Sequence, residues 1–322
     1  MILSIDVGGT NIKYACLNDD ATLNQDCKVE SVDTSPVPEN EVDYESAYIQ
    51  YLNQLSEIYN NYKSRYPING IAISHPGIME NGFIKFGGGL IYTSGHHLAN
   101  DLSKRCDDLP VTILNDAKCA AMAEYISGSL RDCETCACLT FGTAVGGGII
   151  VNGKILENES GEISFLSRST EISADDELHD YFGIYGSASM FIDSLIKQLD
   201  LPSDTTGHEL FAVYAKDKKY QALIQSELDK FAFSIARVIF NMNLILKLEK
   251  VAIGGGISNQ QIFINAIKDK MVDLSNRIIF KMMKYPTSIP EIVQCDYKSE
   301  ANLVGAVSFY NQSKENNITK LT

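Results

Sequence analysis

The chain opens on a short apolar run, Ile2 to Val7, that admits one carboxylate, Asp6. The run stops at Gly8-Gly9-Thr10, and a second one sets in at Ile12. Brief apolar runs bounded by glycine or polar turn residues predict buried strands. Residues 2–7, 12–18 and about 27–33 are therefore predicted strands joined by polar hairpins, with Asn18-Asp19-Asp20 as a turn signal. After Pro36-Val37-Pro38 the period changes. Tyr48, Leu52, Leu55, Tyr59 and Tyr62 recur at spacings of three and four, which predicts a helix stopped by Pro67. Ile71-Ala72-Ile73 reads as a buried strand ending at His75-Pro76-Gly77, and the glycine-rich stretch from Gly82 to Leu98 as irregular. A further strand from Val111 delivers Asn115-Asp116 to the mouth of an alanine-rich helix over 117–127.

The second half repeats this grammar. Leu139 to Val151 is strand, Gly142-Thr143 turn, glycine run and strand. Val251-Ala252-Ile253 is a strand that ends in Gly254-Gly255-Gly256, with Ser258 as the predicted N-cap of a following helix. Phe231, Ile235, Val238, Met242 and Ile245 form one apolar helical face, read as core or subunit contact. Residues 301–310 are a predicted final helix, with a frayed polar tail after Gln312.

Two glycines in a turn let the backbone bend tightly and approach a ligand closely, because they lack Cβ. Successive N–H groups in such a turn form a concave anion site. Asp6, Gly8, Gly9, Thr10, Asn11 and Lys13 make one candidate phosphate turn; Gly142, Thr143 and Gly146 make a second, and Gly254, Gly255 and Gly256 a third segment. The order is neither a Walker loop nor a Rossmann turn, since no G-x-x-x-x-G-K occurs and the first turn returns as a strand. Two strand–Gly–Thr units bracketing Asn115-Asp116 predict an α/β chain of the actin-like ATPase (ribonuclease H-like) fold, two lobes around a central cleft. Asp6 can hold Mg²⁺ through water. A strand-end carboxylate such as Asp116 suits either a helix N-cap or a general base.

Composition narrows the partners. The 322 residues allow one large or two medium domains. A formal net charge of -14 argues against a nucleic-acid partner but not against a nucleotide. No signal peptide and no apolar run of roughly 18 residues is visible, so a cytoplasmic protein without a membrane span is expected. The eight cysteines fit reduced thiols. Cys133, Cys136 and Cys138 lack a second pair at matching spacing and read as structural.

An ordered series of segments resembles the ROK (repressor, open reading frame, kinase) sugar kinases over nearly the whole length. It comprises the Asp6–Lys13 turn, Ser74-His75-Pro76-Gly77, Asn115-Asp116-Ala117, Gly142 to Gly148, Ser160-Gly161-Glu162, Gly254-Gly255-Gly256 and Asn302-Leu303-Val304-Gly305-Ala306. The likeness is greatest to a zinc-free branch with β-glucoside kinases. The resemblance implies ATP and Mg²⁺ as cofactors, Asp116 as general base, and Gly77, Asn115 and Glu162 on the sugar. It also implies a homodimer, a small lobe of residues 1–117 plus 298–322, and a large lobe of 118–297. His75 and Glu124 are read as structural.

Departures from the family pattern shape the substrate expectation. No cysteine lies between Ser164 and Ser189, where most members carry a zinc loop, so no zinc is expected. Phe165 stands where zinc-type members place a sugar-binding histidine, and a second glutamate is absent near Gly183. A site that loses partners for a hydroxyl rejects substituted sugars less. The expected reaction is phosphorylation of the 6-hydroxyl of a hexose or β-glucoside such as cellobiose. The alternatives are an N-acetylmannosamine or other amino-sugar kinase, a glucokinase, a non-catalytic sugar sensor, or a transcriptional regulator. The last is disfavoured because the phosphate turn begins at Leu3 and the chain is acidic. Ala144 replaces a glycine usual in the second turn, which would strain the loop if that position needs a positive φ.

Overall fold

The computed structural model describes residues 1–157, 162–167, 180–216, 218–284, 288–298 and 300–319. Gly161 and residues 168–179 of the cysteine-free stretch lie outside them. Contacts group the chain into two compact units: Met1–Ser127 with Ile155–Gly161 and Ser299–Thr322, and Gly128–Lys154 with Glu162–Lys298.

The first unit contains β1 (Ile2–Val7), β2 (Asn11–Leu17), β3 (Glu30–Asp33), α1 (Tyr44–Lys63), β4 (Gly70–His75), β5 (Ile78–Glu80), β6 (Phe83–Phe86), α2 (Leu98–Arg105), β7 (Val111–Asn115) and α3 (Asp116–Ser127). Its sheet runs β3-β2-β1-β4-β7. β1 is antiparallel to β2 but parallel to β4, and β4 is parallel to β7. Parallel strands end on the same side. Asp6 therefore lies opposite Ser74, and His75 opposite Asn115. The five predicted apolar positions of α1 are all buried.

The second unit contains β8 (Cys136–Phe141), β9 (Val145–Val151), α4 (Phe182–Tyr185), α5 (Ala188–Gln198), α6 (Gly207–Lys216), α7 (Lys218–Leu246), β11 (Lys250–Gly254), α8 (Gln261–Ser275), α9 (Ile278–Met283) and β12 (Glu291–Gln294). With β10 (Lys154–Ile155) its sheet runs β10-β9-β8-β11-β12. β8 is antiparallel to β9 and parallel to β11, which is parallel to β12. The repeated grammar of the sequence is thus a repeated sheet, antiparallel hairpin first and parallel strands after. No helix among the described residues is long and apolar enough to cross a membrane.

The last helix, α10 (Ala301–Thr319), belongs to the first unit and packs on α3. The approach is so close that a Cβ on Gly305 would fall 1.7 Å from the Cys119 carbonyl oxygen. Only glycine allows it, and the contact holds α10 behind the Asn115–Asp116 strand end.

Several local expectations are corrected. The stretch after Gly82 is not wholly irregular, because β5 and β6 form a small hairpin. Ser258 does not cap a helix. Its hydroxyl donates to Gly255 O within a 3-10 turn, Gly256–Asn259, and α8 starts later, at Gln261. The α7 face keeps both its readings: Phe231, Ile235, Val238 and Met242 are buried within the chain, while Ile245 is 82% exposed. The polar tail continues α10 to Thr319 instead of fraying after Gln312.

Candidate active site

In the first unit, sheet register gathers the chemistry at one edge. Asp6 is the penultimate residue of β1, and its Oδ1 accepts from Ser74 Oγ at 2.9 Å and from Asn302 Nδ2 at 3.0 Å. Burial raises its pKa against those two hydrogen bonds and against Lys13, which faces it across the β1–β2 ladder. Asn115 ends β7 and Asp116 begins α3 directly after it, two strands away, about 10 Å at ordinary strand spacing. Burial pushes the Asp116 carboxyl up to about 6, and the charge of Asp6 adds to the rise. Hydrogen bonds from the Ala117 and Asp116 backbone and from Asn115 oppose it.

The helix start shows which side chain caps it. The cap acceptor is Asn115, whose Oδ1 accepts from Lys118 N at 3.2 Å. Asp116 itself accepts from its neighbour Ala117 N at 2.8 Å. Asn115 also donates Nδ2 to Gly77 O at 2.9 Å. Gly77 has φ +98, and a Cβ there would lie 2.0 Å from Phe86 O, so the loop holding that carbonyl requires glycine. Asn115 therefore ties the loop to the helix start while keeping one N–H free of that bond.

His75 is fully buried, and its Nδ1 lies 2.6 Å from Pro76 O. Only an Nδ1–H can pair with a carbonyl oxygen, so the ring is the Nδ1 tautomer. Burial pushes its pKa down to about 4.

The first glycine turn is closed by Gly8 N donating to Asn11 O at 2.9 Å, and a Cβ on Gly8 would meet that oxygen at 2.9 Å. Thr34 straps the turn from the end of β3: its N–H donates to Thr10 O at 2.9 Å and its hydroxyl to Gly8 O at 2.7 Å. The N–H groups of Gly9 and Thr10 take no chain partner among the described residues. Both residues are exposed, as is Asn11. A Cβ on Gly9 would meet nothing within 4 Å. No crowding within the chain demands glycine there, whereas close approach of a ligand would.

In the second unit, Gly142, Thr143 and Ala144 form the exposed turn between β8 and β9, closed by Gly142 N donating to Ala144 O at 3.1 Å. Ala144 does not have a positive φ, so the strain anticipated for it does not arise. Gly146 sits in the β8–β9 ladder opposite Thr140. Gly254 lies opposite Thr140 on the other side, which brings the third glycine segment beside the turn. Gly255 has φ +86, and a Cβ would fall 2.0 Å from Phe141 O. Gly256 has open space around it.

Glu162, half-buried, leads a 3-10 turn, Ile163–Phe165. Phe165 is 58% exposed and meets Tyr181 edge to face, with ring centroids 6.2 Å apart. Gly183 packs on that turn, 3.2 Å from its added Cβ to Ser164 O, so a longer side chain there would push against it.

Cys133, Cys136 and Cys138 are all buried. Among the described residues no group of three or more His, Cys, Asp or Glu is gathered closely enough to hold a metal ion.

Asn302, Ser74, Thr34 and Ser187 were not assigned roles from sequence. Asn302 and Ser74 stand within recognisable segments, yet Asn302 is 296 residues from the carboxylate it orients. No local pattern links such a pair.

A model described as the ROK family matches residues 2–164 of this chain. A β-glucoside kinase of Listeria innocua is 27% identical over 264 residues, which cover 77% of this chain and 81% of that relative. An N-acetylmannosamine kinase of Haemophilus influenzae is 24% identical over 330 residues, 94% of this chain and 93% of the relative. A solved ROK family protein from Streptococcus pneumoniae, in complex with sucrose, superposes with a TM-score of 0.78 at 24% identity, covering 98% of this chain and 99% of that one. That likeness establishes the fold.

Proposed function

This chain belongs to the ROK family and is a sugar kinase, and on that premise we propose that it phosphorylates the 6-hydroxyl of a hexose or β-glucoside such as cellobiose, using ATP, with Asp116 as general base. The observation that carries the reading is the place of Asp116: a half-buried carboxyl at the first position of α3, directly after β7, pushed up to about 6 by desolvation, whose capping duty falls to Asn115. A base matched to neutral pH is what proton removal from an alcohol calls for. The sugar O6–H gives its proton to the Asp116 carboxylate as O6 bonds to the γ-phosphorus, and the bond from phosphorus to the ADP oxygen breaks.

The other roles follow from the residues. Gly77, Asn115 and Glu162 are assigned to sugar hydroxyls. The free N–H groups of the Gly8–Thr10 turn face phosphate, with Asn11 and Lys13 beside it. In the second unit Gly142, Thr143, Gly146 and Gly254–Gly256 serve the nucleotide. Asp6 fits a magnesium ion held through water, since its carboxylate is aimed by Ser74 and Asn302 and its negative charge is felt at Asp116, whose pKa it raises. Magnesium bound there would neutralise phosphate charge.

Phe165 supports tolerance at the anomeric end. An exposed ring braced by Tyr181 offers an apolar face to a second sugar or an aglycone where the family pattern has a hydrogen-bonding histidine. With ATP and Mg²⁺, a sugar panel scored by product mass is expected to give a monophosphate of cellobiose at a higher kcat/KM than of free glucose. A strong preference for glucose, or for N-acetylmannosamine, would overturn the β-glucoside reading while leaving a sugar kinase. A homodimer is part of the same proposal and is checked by light scattering.

The Gly9 turn gives an independent test. Gly9→Ala is expected to keep the melting temperature, because the added Cβ touches no chain atom within 4 Å. It is expected to weaken ATP binding about tenfold or more. Unchanged ATP affinity would remove this turn from the nucleotide site.

A further inference from the structure

The carbonyl groups of the second glycine turn are each held by a donor from the chain. Ser189 N donates to Gly142 O at 3.2 Å. Ser187 Oγ lies 2.7 Å from Thr143 O and 3.3 Å from Gly142 O. A hydroxyl has one proton, so the short contact is the donated bond. Gly142 N satisfies Ala144 O, and Ser164 Oγ donates to Val145 O at 2.6 Å. Ser187 is buried and uses the same oxygen to accept from Met190 N at 3.2 Å, capping α5.

In a trans peptide the C=O and the following N–H point in opposite directions. Fixing the carbonyls of Gly142 and Thr143 inward therefore aims the N–H groups of Thr143 and Ala144 outward, at an exposed surface. Those two N–H groups take no chain acceptor among the described residues. Orientation of the turn is thus set by hydroxyls that lie 19 and 44 residues from the carbonyls they hold.

We propose that Ser187, assisted by Ser164, is a positioning residue for the nucleotide: its hydroxyl locks the Gly142–Ala144 turn with its N–H groups presented to phosphate. The inference rests on reading that turn as the phosphate site. Without the hydroxyl, the Thr143 peptide is free to rotate and the outward donors are lost.

The test uses the full chain. Ser187→Ala is expected to raise KM for ATP about tenfold, the worth of one well-placed hydrogen bond, with kcat and the sugar KM changed less than about twofold. Ser187→Thr keeps the hydroxyl and is expected to restore KM. Thr206→Ala is the control for a lost helix cap. Thr206 caps α6 through its own hydroxyl and has no place in the site, so its removal is expected to lower thermal stability and leave KM alone. A Ser187→Ala enzyme that behaves like Thr206→Ala has lost only a cap, and the inference fails. Ala144→Asp separates this failure from failure of the premise, because it puts a negative charge on the exposed turn. If Ala144→Asp raises KM for ATP while Ser187→Ala does not, the turn binds phosphate and Ser187 does not position it. If neither variant moves KM, the turn is not the phosphate site.

Discussion

Asp116→Asn is expected to fold, to melt higher than the native chain at pH 8, and to lose about 10²–10⁴-fold in kcat. The loss follows from the role proposed for the carboxylate, since an amide cannot accept the O6 proton. The gain in stability follows from its environment. Its pKa in the folded chain, about 6, lies above the ordinary 3.8. The contribution of the protonated form is therefore fully present below pH 3.8 and is lost as pH rises through about 6. At neutral pH the buried charge costs about 3 kcal/mol at most. Asparagine is neutral, has nearly the same shape, and can still accept from Ala117 N. The native kcat/KM is expected to fall as pH drops below about 6, and the residual activity of the variant should lack that limb. Near-native turnover by Asp116→Asn, with intact circular dichroism, would refute the assignment.

Gly255→Ala is expected to cost about 3 kcal/mol or more of stability and to abolish measurable ATP binding. Gly255 has φ +86 and ψ 168, a conformation that L residues with a Cβ rarely adopt. The added Cβ would also fall 2.0 Å from the Phe141 carbonyl oxygen, a backbone atom of the adjoining strand. Relief requires moving β11 away from β8, which displaces the glycine segment next to the Gly142 turn. Gly256→Ala is the matched comparison, because nothing lies within 4 Å of its added Cβ. Denaturant titration of both variants decides the matter. Equal stability of the two would mean that the turn is not held by this contact.

The same contrast shows what could be read from the chain alone. The strands of the first sheet and β8, β9 and β11 of the second were legible as short apolar runs bounded by turn residues, whereas the two-residue β10 and the half-polar β12 gave no such run. Helices α1 and α3 were legible from spacing and alanine content. The candidate site was legible as types: a carboxylate at a strand end, glycines at turns, Asn-Asp before a helix. Ser258 was misread as a cap because a serine after glycines satisfies the local rule for a helix start. The 3-10 turn that absorbs it is set by β11 packing beside β8. Spacing placed Ile245 on the same face as Phe231, Ile235, Val238 and Met242, but did not show where along α7 the chain itself stops covering that face. The strain expected at Ala144 was a question of φ, which residue identity does not supply.

By itself, the sequence determined the two glycine turns, the repeated strand–turn–strand order and the presence of Asp6, Asn115 and Asp116 at strand ends, since each depends on neighbours within a few positions. Tertiary structure alone decided how those groups are aimed and charged. Parallel register set Asp6 beside Ser74, α10 brought Asn302 to its carboxylate, Asn115 released Asp116 from capping, and burial carried the Asp116 carboxyl to about 6. The physical reason is range: propensity and turn chemistry act over a turn or two of chain, whereas desolvation and hydrogen-bond orientation depend on atoms that the fold delivers from far along it.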